Sequence, residues 1–254
     1  MSDTEEKDEA AAVEALQDAA PAEPECDQRR GHVGARILLG LCALFLAVHL
    51  WALGHAVIPV RGTLNMIDRP AGTELRREWV RLDDISPHLV RAVIAAEDTR
   101  FCLHEGIDME AVREALDDRA RGSNRGGSTI TQQTAKNVFF WNGGGYVRKA
   151  GEAWMASFID TVWTKRRIME VYLNVAEWGD GAFGAQAAAQ MRFSKDARDL
   201  SAYESALLAS VLPNPQKWRV DPPGPYVSER VGTVQARAAV VRRDGLDRCV
   251  LTRP

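Results

Sequence analysis

The sequence has little excess charge of either sign. Its 32 Lys and Arg stand against 35 Asp and Glu, so the formal net charge of −3 offers no basic surplus for gripping nucleic acid. Cysteine is scarce. Four are present, and their spacing carries no metal-site or thiol-redox signature. No internal repeat is visible, and strands and helices do not alternate as a doubly wound sheet requires. The Gly-x-x-x-x-Gly-Lys-Ser/Thr phosphate loop is also absent. From Met1 to Asp27 there is no aromatic residue, and Lys7 is the only basic one. So polar a stretch cannot bury enough apolar surface to offset its ordering entropy, and residues 1–28 are expected to form a disordered acidic tail.

What is present begins with Arg29, Arg30 and Arg36, followed by an uncharged apolar run from Ile37 to Ile58. That length suffices to cross a bilayer. The run is too long, starts too late and lacks the Ala-x-Ala exit of a cleaved signal peptide. Arginines ahead of the span place the N-terminus in the cytoplasm and everything after about residue 60 outside. On this topology Cys26 is cytoplasmic and Cys42 lies in the membrane. Only Cys102 and Cys249 share an oxidising space, where they either pair or, for Cys102, serve as a small buried hydrophobe. His49 and His55 read as interfacial or packed.

The 254-residue chain is long enough for one good-sized domain, expected over residues 60–254 and mostly α. Helical spacing is read from Val90 to Arg100 after Ser86-Pro87, from Asp108 to Arg119, and from Thr129 to Phe140. Lys149 to Val175 reads as one long helix or two in series, with Trp154, Phe158, Ile159, Val162, Ile168 and Tyr172 as its apolar stripe. Ala185 to Met191 is short. Ser201 and Glu204 form a capping box for a helix ending at Leu212, and a last helix covers Val227 to Arg243. The weak strand signal falls at Arg61 to Asp68.

Three stretches have residue types suited to chemistry. In A-E-D-T-R-F-C-L-H-E-G-I-D, residues 96–108, a continuing helix would put Glu97, Phe101 and His104 on one stripe and turn Asp98 towards Arg91 or Arg100. An apolar neighbour such as Phe101 would raise the pKa of Glu97, as a general acid or base near neutral pH requires; a solvated Glu-Asp pair is the plain alternative. In R-G-G-S-T-I-T-Q-Q-T-A-K-N, residues 125–137, hydroxyls and amides at a helix start offer donors to a sugar or an anion, or simply cap the helix. In R-K-A-G-E, residues 148–152, Arg148 and Glu152 are also the spacing of an ordinary helical salt bridge. Lys165, Arg166 and Arg167 suit either a solvated face or anionic lipid.

Taken in order, E-D-x-x-F-x-x-H-x-G-x-D at 97–108, G-G-S-T-I-T-Q-Q at 126–133, R-K-x-x-E at 148–152, K-x-x-I-x-E-V-Y-L-N at 165–174 and A-L-L-A-S-V-L-P-N-P at 206–215 resemble glycosyltransferase family 51, in particular its monofunctional members. The resemblance spans roughly Val60 to Arg243. It implies a lysozyme-like, two-lobed transglycosylase domain behind an N-terminal transmembrane helix in the bacterial inner membrane, with the catalytic domain periplasmic. It implies lipid II and the growing glycan chain as substrates, with membrane lipid and other cell-wall synthesis or division proteins as partners. The implied reaction builds β-1,4 glycan with inversion, releasing undecaprenyl pyrophosphate. Glu97 matches the family's general base and Glu152 its second glutamate. Lys136, Arg148 and Lys149 are expected to balance the pyrophosphate, and Asp98, Phe101, His104, Ser128, Thr129, Gln132, Gln133 and Asn137 to shape the sugar and pyrophosphate sites. No fixed metal-ligand set is visible, although a divalent cation such as Mg or Mn at the pyrophosphate suits the chemistry. Trp79, Phe139, Phe140 and Trp141 are candidates for interfacial or core contacts.

The chain departs from the family at Met191 to Lys195, and the last motif is blurred around Arg230 to Val241. No Ser-x-x-Lys, Ser-x-Asn or Lys-Thr-Gly set appears, so the transpeptidase half of bifunctional relatives is not expected. Two rival readings are a membrane-anchored glycan hydrolase of lysozyme-like fold, which would use a cleft glutamate as acid, and a non-catalytic cell-wall scaffold.

Overall fold

The computed structural model describes residues 26–68, 72–122 and 126–252. All but the last three residues of the expected acidic tail lie outside them; those three open helix α1, Cys26–Gly54. Within α1, Val33–Gly54 is long and apolar enough to cross a membrane, and only 6% of its most apolar window is buried. Leu38, Leu39, Leu41 and Leu44 are exposed. A row of leucines facing outward would be costly in water and is what a bilayer covers. The described residues up to Leu50 and those from Trp51 onward form separate compact units.

Almost all of the regular structure in the second unit is helical. Its helices in chain order are α2, Leu64–Ile67; α3, Pro87–Glu97; α4, Met109–Ala120; α5, Ile130–Phe139; α6, Gly145–Val162; α7, Lys165–Val175; α8, Ala185–Phe193; α9, Ala202–Val211; α10, Pro225–Asp244; and α11, Arg248–Leu251. Side-chain caps set several of these starts. Ser86 accepts from His88 N at 3.3 Å and Pro87 occupies the first turn of α3. Asp108 accepts from Glu110 N and Ala111 N, both at 3.0 Å, to open α4. Capping boxes open α5 at Thr129–Gln132 and α9 at Ser201–Glu204.

Two helical groups form the domain. In one, α3 packs against α9 and α10, burying Leu89, Val90, Val93 and Ile94 completely. In the other, α5 packs against α6 and α7, with Ile130, Ile159, Ile168 and Tyr172 in its core. Each such aliphatic side chain contributes roughly 1.5–3 kcal/mol by leaving water.

The structure corrects the sequence reading in some places and decides between its alternatives in others. Arg61 to Asp68 is not a strand: α2 occupies it, with Met66 buried while Leu64 and Ile67 are exposed, so its apolar residues do not alternate. The strand pair is instead Arg76–Arg77 (β1) alongside Ala182–Phe183 (β2), parallel and two residues long, too short for any alternation to show. Lys149 to Val175 divides at Trp163, and Thr164 caps the second helix by accepting from Arg167 N at 3.1 Å. Trp154 is 60% exposed rather than part of the core stripe, because α6 buries the face carrying Glu152, Met155, Ala156 and Ile159. Cys102 and Cys249 form a disulfide with a Cα–Cα separation of 5.6 Å, and Cys42 is free and exposed.

The basic run at 165–167 is tied into the fold rather than presented as a solvated face. Lys165 Nζ donates to Asp160 at 2.8 Å and to His104 O at 2.6 Å. Arg166 holds Asp83 at 2.6 Å, while Arg167 pairs with Glu170 and donates to His55 O at 3.0 Å.

Candidate active site

Glu97 is the last residue of α3, and Asp98 caps that helix in an extended conformation. The expected stripe of Glu97, Phe101 and His104 therefore does not exist, since residues 99–104 run as turns. The turn still brings the predicted residues into one network, by different contacts. Asp98 does not point to Arg91 or Arg100, which pair with Asp247 and Asp108. It turns inward. Its Oδ2 accepts from Ile130 N at 2.9 Å, and His104 Nε2 lies 2.9 Å from the same oxygen. One carboxylate thus ties the turn after Glu97 to the N-terminus of α5, where a negative charge is favoured.

Phe101 is fully buried, with the Lys165 ammonium 4.8 Å from its ring centroid. Behind it, Gly106 has a left-handed φ of +79° and lies against the next element, where a Cβ would come within 2.9 Å of Ala156 O.

Glu97 Oε2 accepts from Gln133 Nε2 at 2.9 Å, and Gln133 Oε1 in turn accepts from the Tyr172 hydroxyl at 3.2 Å. Glu97 Oε1 is buried and has no hydrogen-bond partner among the described residues. Burial pushes the Glu97 carboxyl above its ordinary value, with Asp98 adding a little; the hydrogen bond from Gln133 and the Arg230 charge oppose the shift. The Tyr172 hydroxyl is driven far up by burial, with Glu97 and Asp98 adding to it, so it stays protonated.

An open cleft of about 600 Å³ runs past Glu97. Its lining includes Asp98, Ser128 and Thr129 from the predicted set, with Trp218, Tyr226 and Arg230 from further along the chain. A smaller pocket of about 180 Å³ holds Lys136, Asn137 and Glu177, and shares Gln133 and Pro213 with the cleft. Thr129 and Gln132 are buried and committed to the α5 cap: Thr129 Oγ1 accepts from Gln132 N at 3.0 Å and donates to Gly106 O at 2.6 Å. Asn137 Oδ1 accepts from Asn65 Nδ2 at 3.2 Å.

Glu152 lies in a cationic corner. It is 1% exposed, contacts Arg148, and has Lys149 Nζ 3.2 Å away. Lys149 also donates to Ser128 Oγ at 2.9 Å, which links this corner to the cleft. Burial lowers the Lys149 and Lys136 pKa values, and Arg148 lowers both further. Two carboxylates, Glu152 and, beside Lys136, Glu177, against three cations still leave a net positive field suited to a multiply charged anion. Among the described residues no three His, Cys, Asp or Glu side chains gather as a metal-holding group. Glu152, the carboxylate of this corner, is engaged by Arg148 and Lys149.

Sequence reading did not find Trp218 and Tyr226 in the cleft wall, and reached Arg230 only as the start of the blurred last motif. Trp218 and Tyr226 stack with ring centroids 3.7 Å apart. Arg230, one helical turn beyond Tyr226, donates to its hydroxyl at 3.0 Å and to Ala96 O at 3.4 Å. Arg230 was signalled by its place at the start of that motif, and Tyr226 by standing four residues before it. Lys195, in the departing segment, pairs with Glu204 at 2.7 Å. Of the other aromatic candidates, Phe139 packs against Trp51 at a centroid distance of 5.2 Å, while Trp141 is 53% exposed.

Comparison with known proteins agrees with this geometry. A family model described as "Transglycosylase" matches residues 64–241. A protein of Rhodospirillum centenum named "Biosynthetic peptidoglycan transglycosylase" is 50% identical over 220 residues, covering 85% of this chain and 94% of the relative. Relatives of the same name are 47% identical over 215 residues in Jannaschia sp., covering 84% and 87%, and 46% identical over 186 residues in Pseudomonas aeruginosa, covering 70% and 80%.

Proposed function

The chain belongs to the transglycosylase family, and from that premise we propose that Glu97 is the general base of an inverting glycosyl transfer that polymerises lipid II. The protein is a peptidoglycan glycosyltransferase, with lipid II and the growing glycan chain as its substrates. The observation that carries the assignment of Glu97 is its carboxylate: one oxygen is held by Gln133 while the other, buried and unpartnered, remains free to take a proton beside an open cleft.

In this reading Glu97 Oε1 removes the proton from the 4-hydroxyl of the incoming GlcNAc as that oxygen attacks the anomeric carbon of the chain-end MurNAc. The bond from that carbon to the lipid pyrophosphate breaks on the opposite face, and the electron pair leaves with the phosphate oxygen. An α-linked donor thereby becomes a β-1,4 bond. The proton later passes from Glu97 to water. Lys136, Arg148 and Lys149 take up the negative charge of the pyrophosphate, while Glu152 keeps the two neighbouring cations in place. The cationic corner favours this reading over a lysozyme-like hydrolase, which has no pyrophosphate to neutralise.

The anchor is assigned to the inner membrane, with Arg29, Arg30 and Arg36 on the cytoplasmic side and the catalytic domain periplasmic. The support for this is the apolar helix and the charge bias before it. Incubating the purified full chain with lipid II tests the function. Glycan polymer supports it. Cleavage of ready-made glycan without consumption of lipid II overturns it in favour of the hydrolase, and inertness to both substrates in favour of a scaffold.

A further inference from the structure

The proposed chemistry gives no role to the disulfide, yet the bond sits only five residues beyond Glu97. Residues 99–104 lack a helical ladder, so side chains must fix where the turn leaves α3. Asp98 and His104 tie the turn to itself and to α5. Arg100 ties it to Asp108, with 2.7 and 2.8 Å contacts. Lys165 holds the carbonyl of His104 at 2.6 Å. A further tether, and a covalent one, is Cys102, bonded to Cys249 in the short C-terminal helix α11.

That C-terminal segment also holds the helix before the turn. Arg91, six residues before Glu97 on α3, donates to Asp247 Oδ2 at 2.6 Å, with both side chains largely buried. Val250 O accepts from Arg166 at 2.8 Å, fastening the same segment to α7, on which Tyr172 also lies. Residues 247–250 therefore grip the polypeptide on both sides of Glu97, at Arg91 and at Cys102, and are themselves fixed to the helix that supports Gln133 through Tyr172.

We propose that residues 247–250, joined to the catalytic turn through the Cys102–Cys249 bond, form a clasp that positions Glu97 against Gln133 in the cleft. The cysteines are positioning residues: neither lines the cleft, and the effect is transmitted through the backbone of residues 98–102. This inference rests on the assignment of Glu97 as base. Without the bond, the turn keeps its polar ties but loses its covalent fixed point, and the Glu97 carboxylate gains freedom and water. The groups facing it are Asp98, Arg230 and the Tyr172 hydroxyl, with Gln133 as its hydrogen-bond donor.

The test compares the oxidised wild-type chain, the same chain reduced with dithiothreitol and alkylated, and the Cys102→Ser/Cys249→Ser variant. Each is assayed with lipid II well below its melting temperature. Polymer formation by the oxidised wild type is the control for the functional reading. If it makes none, that reading fails and the clasp fails with it. The expected result is a kcat about ten-fold lower in both opened forms, with KM for lipid II within two-fold. The acid limb of kcat should also move to lower pH, as Glu97 relaxes towards its ordinary value on hydration. A kcat and acid limb unchanged in folded, opened protein would overturn the clasp. So would complete unfolding on opening, since the bond would then hold the fold rather than the turn.

Discussion

Gln133 donates its side-chain amide to Glu97 at 2.9 Å and accepts from the Tyr172 hydroxyl at 3.2 Å, so three helices converge on one carboxylate. The contact fixes one Glu97 oxygen and leaves the other buried without a partner. Gln133→Ala should remove the fixed geometry without removing the base, lowering kcat about ten-fold, whereas Gln133→Glu should cost more by setting a second carboxylate against the first. Steady-state polymerisation of lipid II by the two variants measures this.

The same burial gives a pH signature. Glu97 is pushed above its ordinary value of 4.5, and a base must be ionised. Activity should therefore rise with pH along a limb lying above 4.5, and a limb at or below that value would speak against Glu97. Stability carries the opposite sign. A carboxyl whose folded pKa is raised binds its proton more tightly when folded, so its contribution is present at low pH and is lost as pH rises through the folded value. Glu97→Gln, which cannot ionise, should gain thermal stability relative to wild type between acid and neutral pH.

Asp98 holds the turn rather than reacting. Asp98→Ala orphans Ile130 N and the buried His104 ring, at a cost of roughly 3 kcal/mol, which corresponds to a Tm fall of about 6–12 °C. Asp98→Asn, which keeps an acceptor, should recover part of that in a thermal melt.

Arg148 and Lys149 both engage Glu152, but their side chains are 16% and 48% exposed. The more buried cation is less screened by solvent and less easily replaced. Arg148→Ala should therefore lower kcat/KM for lipid II about 100-fold and Lys149→Ala about ten-fold, with the Lys149 effect shrinking further as salt is raised.

Gly106 and Gly122 separate backbone strain from close packing. Both have φ near +80°, but among the described residues a Cβ would meet a neighbour only at Gly106, Ala156 O at 2.9 Å, and nothing within 4 Å at Gly122. Alanine at position 122 should cost about 1 kcal/mol of strain, and alanine at 106 distinctly more, as read by denaturant unfolding.

Sequence legibility followed the range of the interactions. Caps and periodicity act within one turn, so Ser86, Asp108, Thr129 and Ser201 marked their helices correctly. Glu97 and Glu152 could be picked out by motif. The direction of Asp98 could not, because its partner Ile130 N is 32 residues away and the helix that was expected to continue stops at Glu97. The stacked Trp218 and Tyr226 were invisible for a similar reason: α10 acquires a cleft-facing side only once it packs on α3. The disulfide spans 147 residues, and spacing alone left it open.

The central claim is that Glu97 takes the acceptor proton. Its most direct test is Glu97→Gln, which keeps the side-chain volume, measured for both lipid II binding and single-turnover polymerisation. Binding within two-fold of wild type, with the chemical step slowed at least 100-fold, is the predicted result. A chemical step within ten-fold of wild type in a folded, lipid II-binding variant would contradict it.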